Sequence, residues 1–478
     1  RLVGSEMCIR DSNKVIMLKA FKNYMSQRTI AAKVRNKFMN TASSYDLFKS
    51  IRENAEIKRQ EENRLHEVFY FHKVDDPYSH LTIQCIEKLK SSYEISVKSI
   101  LVGEENSEAV HETSLYSNYC LEDVKRIAPF YDIAFPAKSY PSKEMIYKAN
   151  SILSEVNENR FSEIAIKVSF ALWSDDLETI DNLCLEFPAS KAKVANKILL
   201  GNKLRDDKGY YFGSAFYYEK ELYWGVDRLP YLEERLTELG LKKSKDVKPI
   251  CSLKLEALET LNSGKKINLT YFPSLNSPYT HISTQRVQEL TKNSSINLIT
   301  KPVLPMLMRG MTIPSYKGKY IISDAAREGR KYNHEIISIY SPIGLPARKA
   351  YSLFPSIDKA GKGFEYITEL LNASFQDGIN IGDDNYLQTL VCKLGLDWDE
   401  IKLTFKSHAW KKDLNNNLKE MYEGNCWGVP SFKITNEDGS DPFYAWGQDR
   451  LWLINDCLLY TSDAADEGLG VDLGGRRI

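Results

Sequence analysis

The 478-residue chain carries 64 Lys plus Arg against 64 Asp plus Glu, a balance that excludes a global field drawing nucleic acid or an anionic surface. It holds no run of eighteen apolar residues and no charged, apolar, small-residue leader behind Met17, so a soluble, cytoplasmic chain without stable membrane insertion is expected. The length is more than one hydrophobic core usually serves and predicts at least two domains.

In chain order the ends come first. Glu6-Met7-Cys8-Ile9-Arg10-Asp11-Ser12 can be encoded by a DNA string whose reverse complement, one frame over, encodes Cys457-Leu458-Leu459-Tyr460-Thr461-Ser462. Both ends read as translated sequencing adapter, and residues 1–12 and 457–478 are expected not to pack against the fold. A basic helical arm follows at 13–65. Between Met17 and Asn40 it has Lys19, Lys22, Arg28, Lys33, Arg35 and Lys37 and no acid, interleaved with Leu18, Phe21, Tyr24, Ile30, Val34 and Phe38. That pattern is an amphipathic helix, expected to lay its apolar face on the first domain; contact with an anionic membrane or nucleic acid is the alternative.

An internal repeat organises the rest. Asp76-Pro77-Tyr78-Ser79-His80 recurs 201 positions later as Ser277-Pro278-Tyr279-Thr280-His281, and Asp123 with Arg126 recurs at the same offset as Asp324 with Arg327. Trp224-Gly225-Val226-Asp227-Arg228-Leu229 recurs 222 positions later as Trp446-Gly447-Gln448-Asp449-Arg450-Leu451. A period this long is a duplicated domain, not a solenoid. The copies are placed at 66–240 and 266–456, joined by a charged linker at 241–265.

Each copy opens with an apolar run, Val68–Phe71 or Ile267–Phe272, then the Pro-Tyr motif at the head of an amphipathic helix, then a second apolar run, Ile95–Val102 or Ile296–Leu304. This is a right-handed βαβ unit. Helices are predicted in the middle, including Leu121–Ala128, Phe161–Trp173 and Gly363–Phe375. Each copy closes with two short strands and a helix, Ser214–Tyr218, Leu222–Trp224 and Asp227–Leu239, matched by Ser431–Ile434, Phe443–Trp446 and Asp449 onward. Outside the adapter-like ends lie Cys85, Cys120, Cys184, Cys251, Cys392 and Cys426, with neither metal-site nor redox spacing. They read as buried, reduced thiols, and no metal is expected.

Four segments of the second copy carry a family likeness: Ser277–His281; Lys301 to Asp324 with Arg327; Asn417; and Trp427-Gly428-Val429-Pro430-Ser431-Phe432 leading to Trp446–Leu451. Over about 267–455 the chain resembles the 2-hydroxychromene-2-carboxylate isomerases and kappa-class glutathione transferases of the DsbA family, and over 68–240 it does so more weakly. The resemblance implies an α/β fold of two thioredoxin-like domains, each with a helical insertion of the DsbA/kappa type. It implies glutathione as cofactor, a small-molecule substrate, isomerase or transferase-like activity, and no nucleic-acid partner; homo-oligomerisation is left open.

What the resemblance implies for single residues stands beside a plainer reading of each. Ser277 and Thr280 fall where the dithiol of the fold would be, so no dithiol redox chemistry is expected, and Ser277 would hydrogen-bond the glutathione sulfur. Ser-Pro at a helix start is equally an ordinary cap with proline at the first turn. Val429-Pro430 would hold a cis bond whose backbone pairs with the cysteinyl part of the ligand; the alternative is a trans turn. Gln448 and Asp449 would hold the γ-glutamyl end, or Asp449 simply caps a helix and pairs with Arg450. Arg309, the second catalytic candidate beside Ser277, aligns loosely with a family lysine near the catalytic centre, and arginine keeps the charge but cannot shuttle a proton. Asn417 belongs to the implied ligand set by position alone. His80 and His281 read as satisfied structural histidines, and Asp324 with Arg327 as a surface helix pair. In the first copy Asp76, Ser214 and Val226 replace the serine, the cis-proline and the glutamine, so that copy is expected to scaffold or cover the second. A non-catalytic peptide- or partner-binding module is the competing function.

Overall fold

The computed structural model describes residues 30–105, 108–252, 266–292 and 294–463. Among these, one compact unit holds residues 48–252 and 313–320, and the other holds 30–47, 266–312 and 321–463.

In the first unit four strands form one mixed sheet: β1 (Glu67–Lys73), β2 (Ser96–Val102), β3 (Ala215–Tyr218) and β4 (Glu221–Trp224), in the order β2-β1-β3-β4. The central strand β1 is apolar along most of its length because both its faces are covered, with Val68, Tyr70 and Phe71 fully buried. It pairs parallel with β2, Val68 opposite Val97, and antiparallel with β3, Tyr70 opposite Phe216. Two short helices, Pro77–Ile83 and Ile86–Ser92, cross from β1 to β2. Between β2 and β3 lies a helical insertion that includes Thr113–Ile127, Lys143–Glu155, Phe161–Ser174, Leu177–Glu186 and Lys191–Asp207. Ser142, Asp176 and Ser190 each accept a hydrogen bond from the backbone N–H three residues on, which starts three of these helices where the sequence supplies short polar side chains.

The second unit repeats the plan with β5 (Ile267–Phe272), β6 (Ile296–Thr300), β7 (Ser431–Asn436) and β8 (Phe443–Trp446), in the order β6-β5-β7-β8. Its insertion includes helices Leu345–Lys359, Gly363–Phe375, Asp384–Lys393 and Ala409–Glu423, packed around a core with Tyr351, Tyr366, Leu370 and Leu371 at its centre. The α/β class expected from the sequence holds, with two four-stranded mixed sheets.

The repeated Pro-Tyr motif has a structural cause. In the first unit the Tyr78 hydroxyl donates to Asp123 Oδ2 at 2.6 Å; in the second the Tyr279 hydroxyl donates to Asp324 Oδ2 at 2.7 Å. Each bond ties the helix after the first strand to the helix that follows the second. Asp324 is only 2% exposed and is paired with Arg327, so the surface pair expected from the i,i+3 spacing is a buried one. His80 is held by Ser169 at 2.7 Å and the Ala134 carbonyl at 2.8 Å, and burial pushes its pKa down to about 4. His281 packs edge-on against His334, ring centroids 4.2 Å apart, and burial lowers the pKa of both.

Other expectations change. The run from Ile296 stops at Thr300, not Leu304, because Pro302 and Pro305 cannot continue a ladder. The helix expected at Leu121 begins at Thr113. The arm forms the helices Ile30–Ser43 and Tyr45–Glu61. The first docks on the second unit, not on the first domain: Arg35 Nε donates to Ser341 Oγ at 3.0 Å, and Asn40 exchanges hydrogen bonds with Ile339 at 2.8 and 3.0 Å. Residues 17–29, which hold three of the six basic residues of the run, fall outside the described residues, as do 1–12 and 464–478. The expectation that nothing from 457 packs fails at Leu458, which is fully buried in the helix Leu451–Asp463. Its spacing from the buried Leu451 and Ile454 continues a helical apolar stripe across the supposed boundary. Among the described residues no helix is long and apolar enough to cross a membrane.

Candidate functional site

Strand β5 runs out through Pro273–Asn276 into the helix Pro278–Leu290. Ser277 caps that helix: its backbone is extended, its Oγ accepts from the Thr280 N–H at 3.1 Å, and Pro278 fills the first turn. The same hydroxyl donates to the Val429 carbonyl at 3.4 Å. This is a long contact for an O–H donor, and a closer acceptor would displace it. The Val429-Pro430 peptide is cis, the one such bond among the described residues, and no described residue accepts the Val429 N–H. Two segments more than 150 residues apart thus meet at the serine, as the resemblance implied.

The loop around Pro430 is braced from below. Both Arg309 terminal nitrogens donate to the Trp427 carbonyl at 3.2 Å, and one reaches the Tyr422 hydroxyl at 3.4 Å. Gly428 lies against the Trp446 indole so closely that a Cβ there would clash with Nε1. Ser431 Oγ donates to the Gly428 carbonyl at 2.8 Å, and Gly447 N–H donates to the Pro430 carbonyl at 2.9 Å. Arg309 thus shapes the cis-proline loop through its backbone. Asn417 donates to the Pro302 carbonyl at 2.9 Å and fastens the chain leaving β6.

Gln448 is where the structure departs from the implied ligand set. It is 1% exposed, its Oε1 accepts from Arg286 at 2.5 Å, and its Nε2 donates to Glu328 Oε2 at 2.7 Å. Both ends of the amide are taken by buried charged partners, so it faces the core and not a ligand. Asp449 beside it is half-buried, with Oδ1 curled back over Gly447, and Arg450 donates to the Asp449 backbone carbonyl at 3.2 Å. The expected Asp449–Arg450 contact thus includes a bond to the main chain. Thr280 is fully buried, its carbonyl accepting from the Tyr271 hydroxyl at 3.2 Å and its N–H donating to Ser277 Oγ. Arg286 and Glu328, far from Gln448 in sequence, are the positioning residues that sequence reasoning missed; no motif marks them.

The corresponding place in the first unit is built differently. Asp76 caps the helix Pro77–Ile83, accepting from Tyr78 N–H at 3.2 Å, Ser79 N–H at 3.1 Å and Ser79 Oγ at 2.7 Å, and burial raises its pKa to about 6. Ser214 stands where Pro430 does: each immediately precedes an inner strand and accepts a glycine N–H, from Gly225 at 2.7 Å and from Gly447 at 2.9 Å. Ser214 has φ of 55° and bonds Thr82 through its hydroxyl at 3.0 Å. A small cleft opens beside Asp76, lined by Lys73, Glu105, Tyr116, Cys120 and Tyr140. Lys73 is buried and paired with Glu105 at 2.9 Å, so the cleft carries a compensated cation.

Residues 268–458 match the family model of the DSBA-like thioredoxin domain. A curated relative, the uncharacterized protein YwbO of Bacillus subtilis (strain 168), is 33% identical over 86 residues, 18% of this chain and 43% of that protein, so less than half of the relative is covered. Among solved structures, 2-hydroxychromene-2-carboxylate isomerase is similar over 42% of this chain and 100% of its own length, at 18% identity and a TM-score of 0.34. The cytosolic disulfide reductase DsbM from Pseudomonas aeruginosa is similar over 42% of this chain and 99% of its own length, at 14% identity and a TM-score of 0.31. Over residues 268–458, the C-terminal half of this chain is a DsbA-like thioredoxin domain.

Proposed function

We propose that the C-terminal domain binds a small thiol of the glutathione type and uses it in isomerase or transferase chemistry on a small-molecule substrate. The observation that carries this reading is the long Ser277–Val429 contact of 3.4 Å: a hydroxyl at a helix N-terminus, beside the cis-proline backbone and only loosely committed. A thiolate placed there would receive the Ser277 O–H bond and the positive end of the helix, and both favour its charged form. The Val429 N–H would pair, strand-like, with the cysteinyl amide, and Asp449 would receive the ammonium group. Gln448 is engaged by Arg286 and Glu328 and not by the ligand, and Arg309 shapes the loop instead of moving a proton. The first unit, with its matching strand order and mirrored Tyr–Asp and Ser214–Gly225 bonds, is read as a second thioredoxin-like domain that has kept the frame and exchanged the site residues.

Titration calorimetry with glutathione tests the reading. Binding in the millimolar range or tighter is expected, and Ser277→Ala should weaken it by the loss of a hydrogen bond to a charged acceptor, about 1.5–3 kcal/mol or roughly ten- to a hundredfold. The internal engagement of both Gln448 amide ends favours a second reading, a non-catalytic module that takes an extended peptide on the Val429 backbone. No glutathione binding at millimolar concentration, with the fold intact, would select it.

A further inference from the structure

Two cysteines without any spacing signature meet in the first unit. Cys85 Sγ and Cys251 Sγ are 3.9 Å apart, both buried, and 166 positions separate them. Cys85 sits between the two short helices, where its N–H bonds the Thr82 carbonyl at 3.0 Å and its carbonyl accepts from Leu89 at 3.0 Å. Cys251 ends a segment fastened at several points. Glu94 N–H donates to the Leu241 carbonyl at 2.8 Å, Lys243 N–H to the Ser92 carbonyl at 3.0 Å, and Ile250 N–H to Glu233 Oε1 at 3.0 Å. The Glu233 carboxylate also accepts from Cys251 N–H at 3.5 Å and the Tyr93 hydroxyl at 3.3 Å. Each thiol is therefore placed by its own backbone bonds, and the pair does not depend on side-chain packing alone. A disulfide needs the sulfurs to close by about 1.9 Å from their 3.9 Å separation, and Cys251 lies in irregular backbone, outside any helix or strand.

We infer that Cys85 and Cys251 are a reversible disulfide site, closed by a low-molecular-weight disulfide such as oxidised glutathione, that locks the segment Leu241–Cys251 onto the first unit. One cysteine thiolate attacks a sulfur of the oxidant and releases its first thiol; the second cysteine thiolate then displaces the remaining half. The two protein thiols lose two protons and two electrons, and the oxidant disulfide becomes two thiols. The bond closes a long loop and so raises the stability of the first unit by restricting its unfolded ensemble. This site is independent of the Ser277 reading.

The full chain, reduced and then equilibrated in glutathione buffers from fully reduced to fully oxidised, is acid-quenched, alkylated and digested without reduction. Mass spectrometry is expected to find a peptide pair joining Cys85 to Cys251, lighter by two hydrogens and abolished by reductant. The urea midpoint of the first unit should rise on oxidation in the native chain and stay unchanged in Cys251→Ala and Cys85→Ala. Alkylated or singly glutathionylated Cys85 and Cys251 at the oxidising limit, after refolding in the same buffer, would overturn the inference, as would pairing with any other cysteine. The peptide map is made on the unmutated chain and decides the matter even if a variant does not fold.

Discussion

The buried carboxylate of Asp324 offers a direct test of how the C-terminal domain is held together. Asp324 accepts from the Tyr279 hydroxyl at 2.7 Å and pairs with Arg327, which is itself only 8% exposed. Asp324→Ala removes one member of a buried ion pair and leaves the other charge in the core, a change that costs about 3–5 kcal/mol. Tyr279→Phe keeps the ring and loses one hydrogen bond to a charged acceptor, about 1.5–3 kcal/mol. With an unfolding slope of about 2 kcal/mol per molar urea, the first change should lower the urea midpoint by roughly 1.5–2.5 M and the second by about 1 M. The two groups touch, so their effects should not add: in an Asp324→Ala background the tyrosine change should cost little, giving a coupling energy near the value of the single hydrogen bond. Far-UV circular dichroism in urea on the four proteins of the cycle measures this. Additive effects, or a loss below about 0.5 kcal/mol for Asp324→Ala, would refute the claim that this pair is buried and coupled.

Asp76, raised to about 6 by burial, is favoured in its protonated form by folding, so its contribution is present below about 3.8 and lost as pH rises through 6. Asp76→Asn should remove that slope, and the stability difference between native chain and variant should change by about 1–3 kcal/mol between pH 4 and 7; parallel pH profiles in urea melts would speak against it. Leu458→Ala, in the fully buried stripe of the last helix, should cost about 2–5 kcal/mol, and a thermal midpoint equal to that of the native chain would mean that the helix does not dock there.

The sequence carries what is local and repeated. Val68–Phe71 and Ile267–Phe272 read as strands because both faces of a central strand are buried, and the Ser277-Pro278 start follows from cap chemistry that needs only neighbouring residues. The meeting of Ser277 with Val429 was legible because the family likeness supplied the topology, which no spacing in the chain supplies. Asp324 and Arg327 misled because an i,i+3 charge pair looks the same whether solvent or a tyrosine covers it. Gln448 misled because its partners Arg286 and Glu328 lie 162 and 120 positions away. The Cys85–Cys251 contact has the same character, since only the fastened path of Leu241–Cys251 brings the thiols together. The coding pattern of the ends says nothing about whether Leu458 continues an apolar stripe.

The pairing of β5 also has a consequence for the way the domain is made. Its parallel neighbour β6 lies only 29 positions away, Ile267 opposite Ile296, but its antiparallel neighbour β7 returns from as far as 169 positions, Ile267 opposite Asn436. During synthesis the middle strand therefore keeps one edge of unpaired N–H and C=O groups while the whole helical insertion emerges. Closing so long a loop delays the pairing, and for that interval the apolar edge is open to other nascent chains. A chain halted between Glu423 and Ser431 would hold the insertion but not the strand that covers β5, and should need a chaperone to stay dispersed.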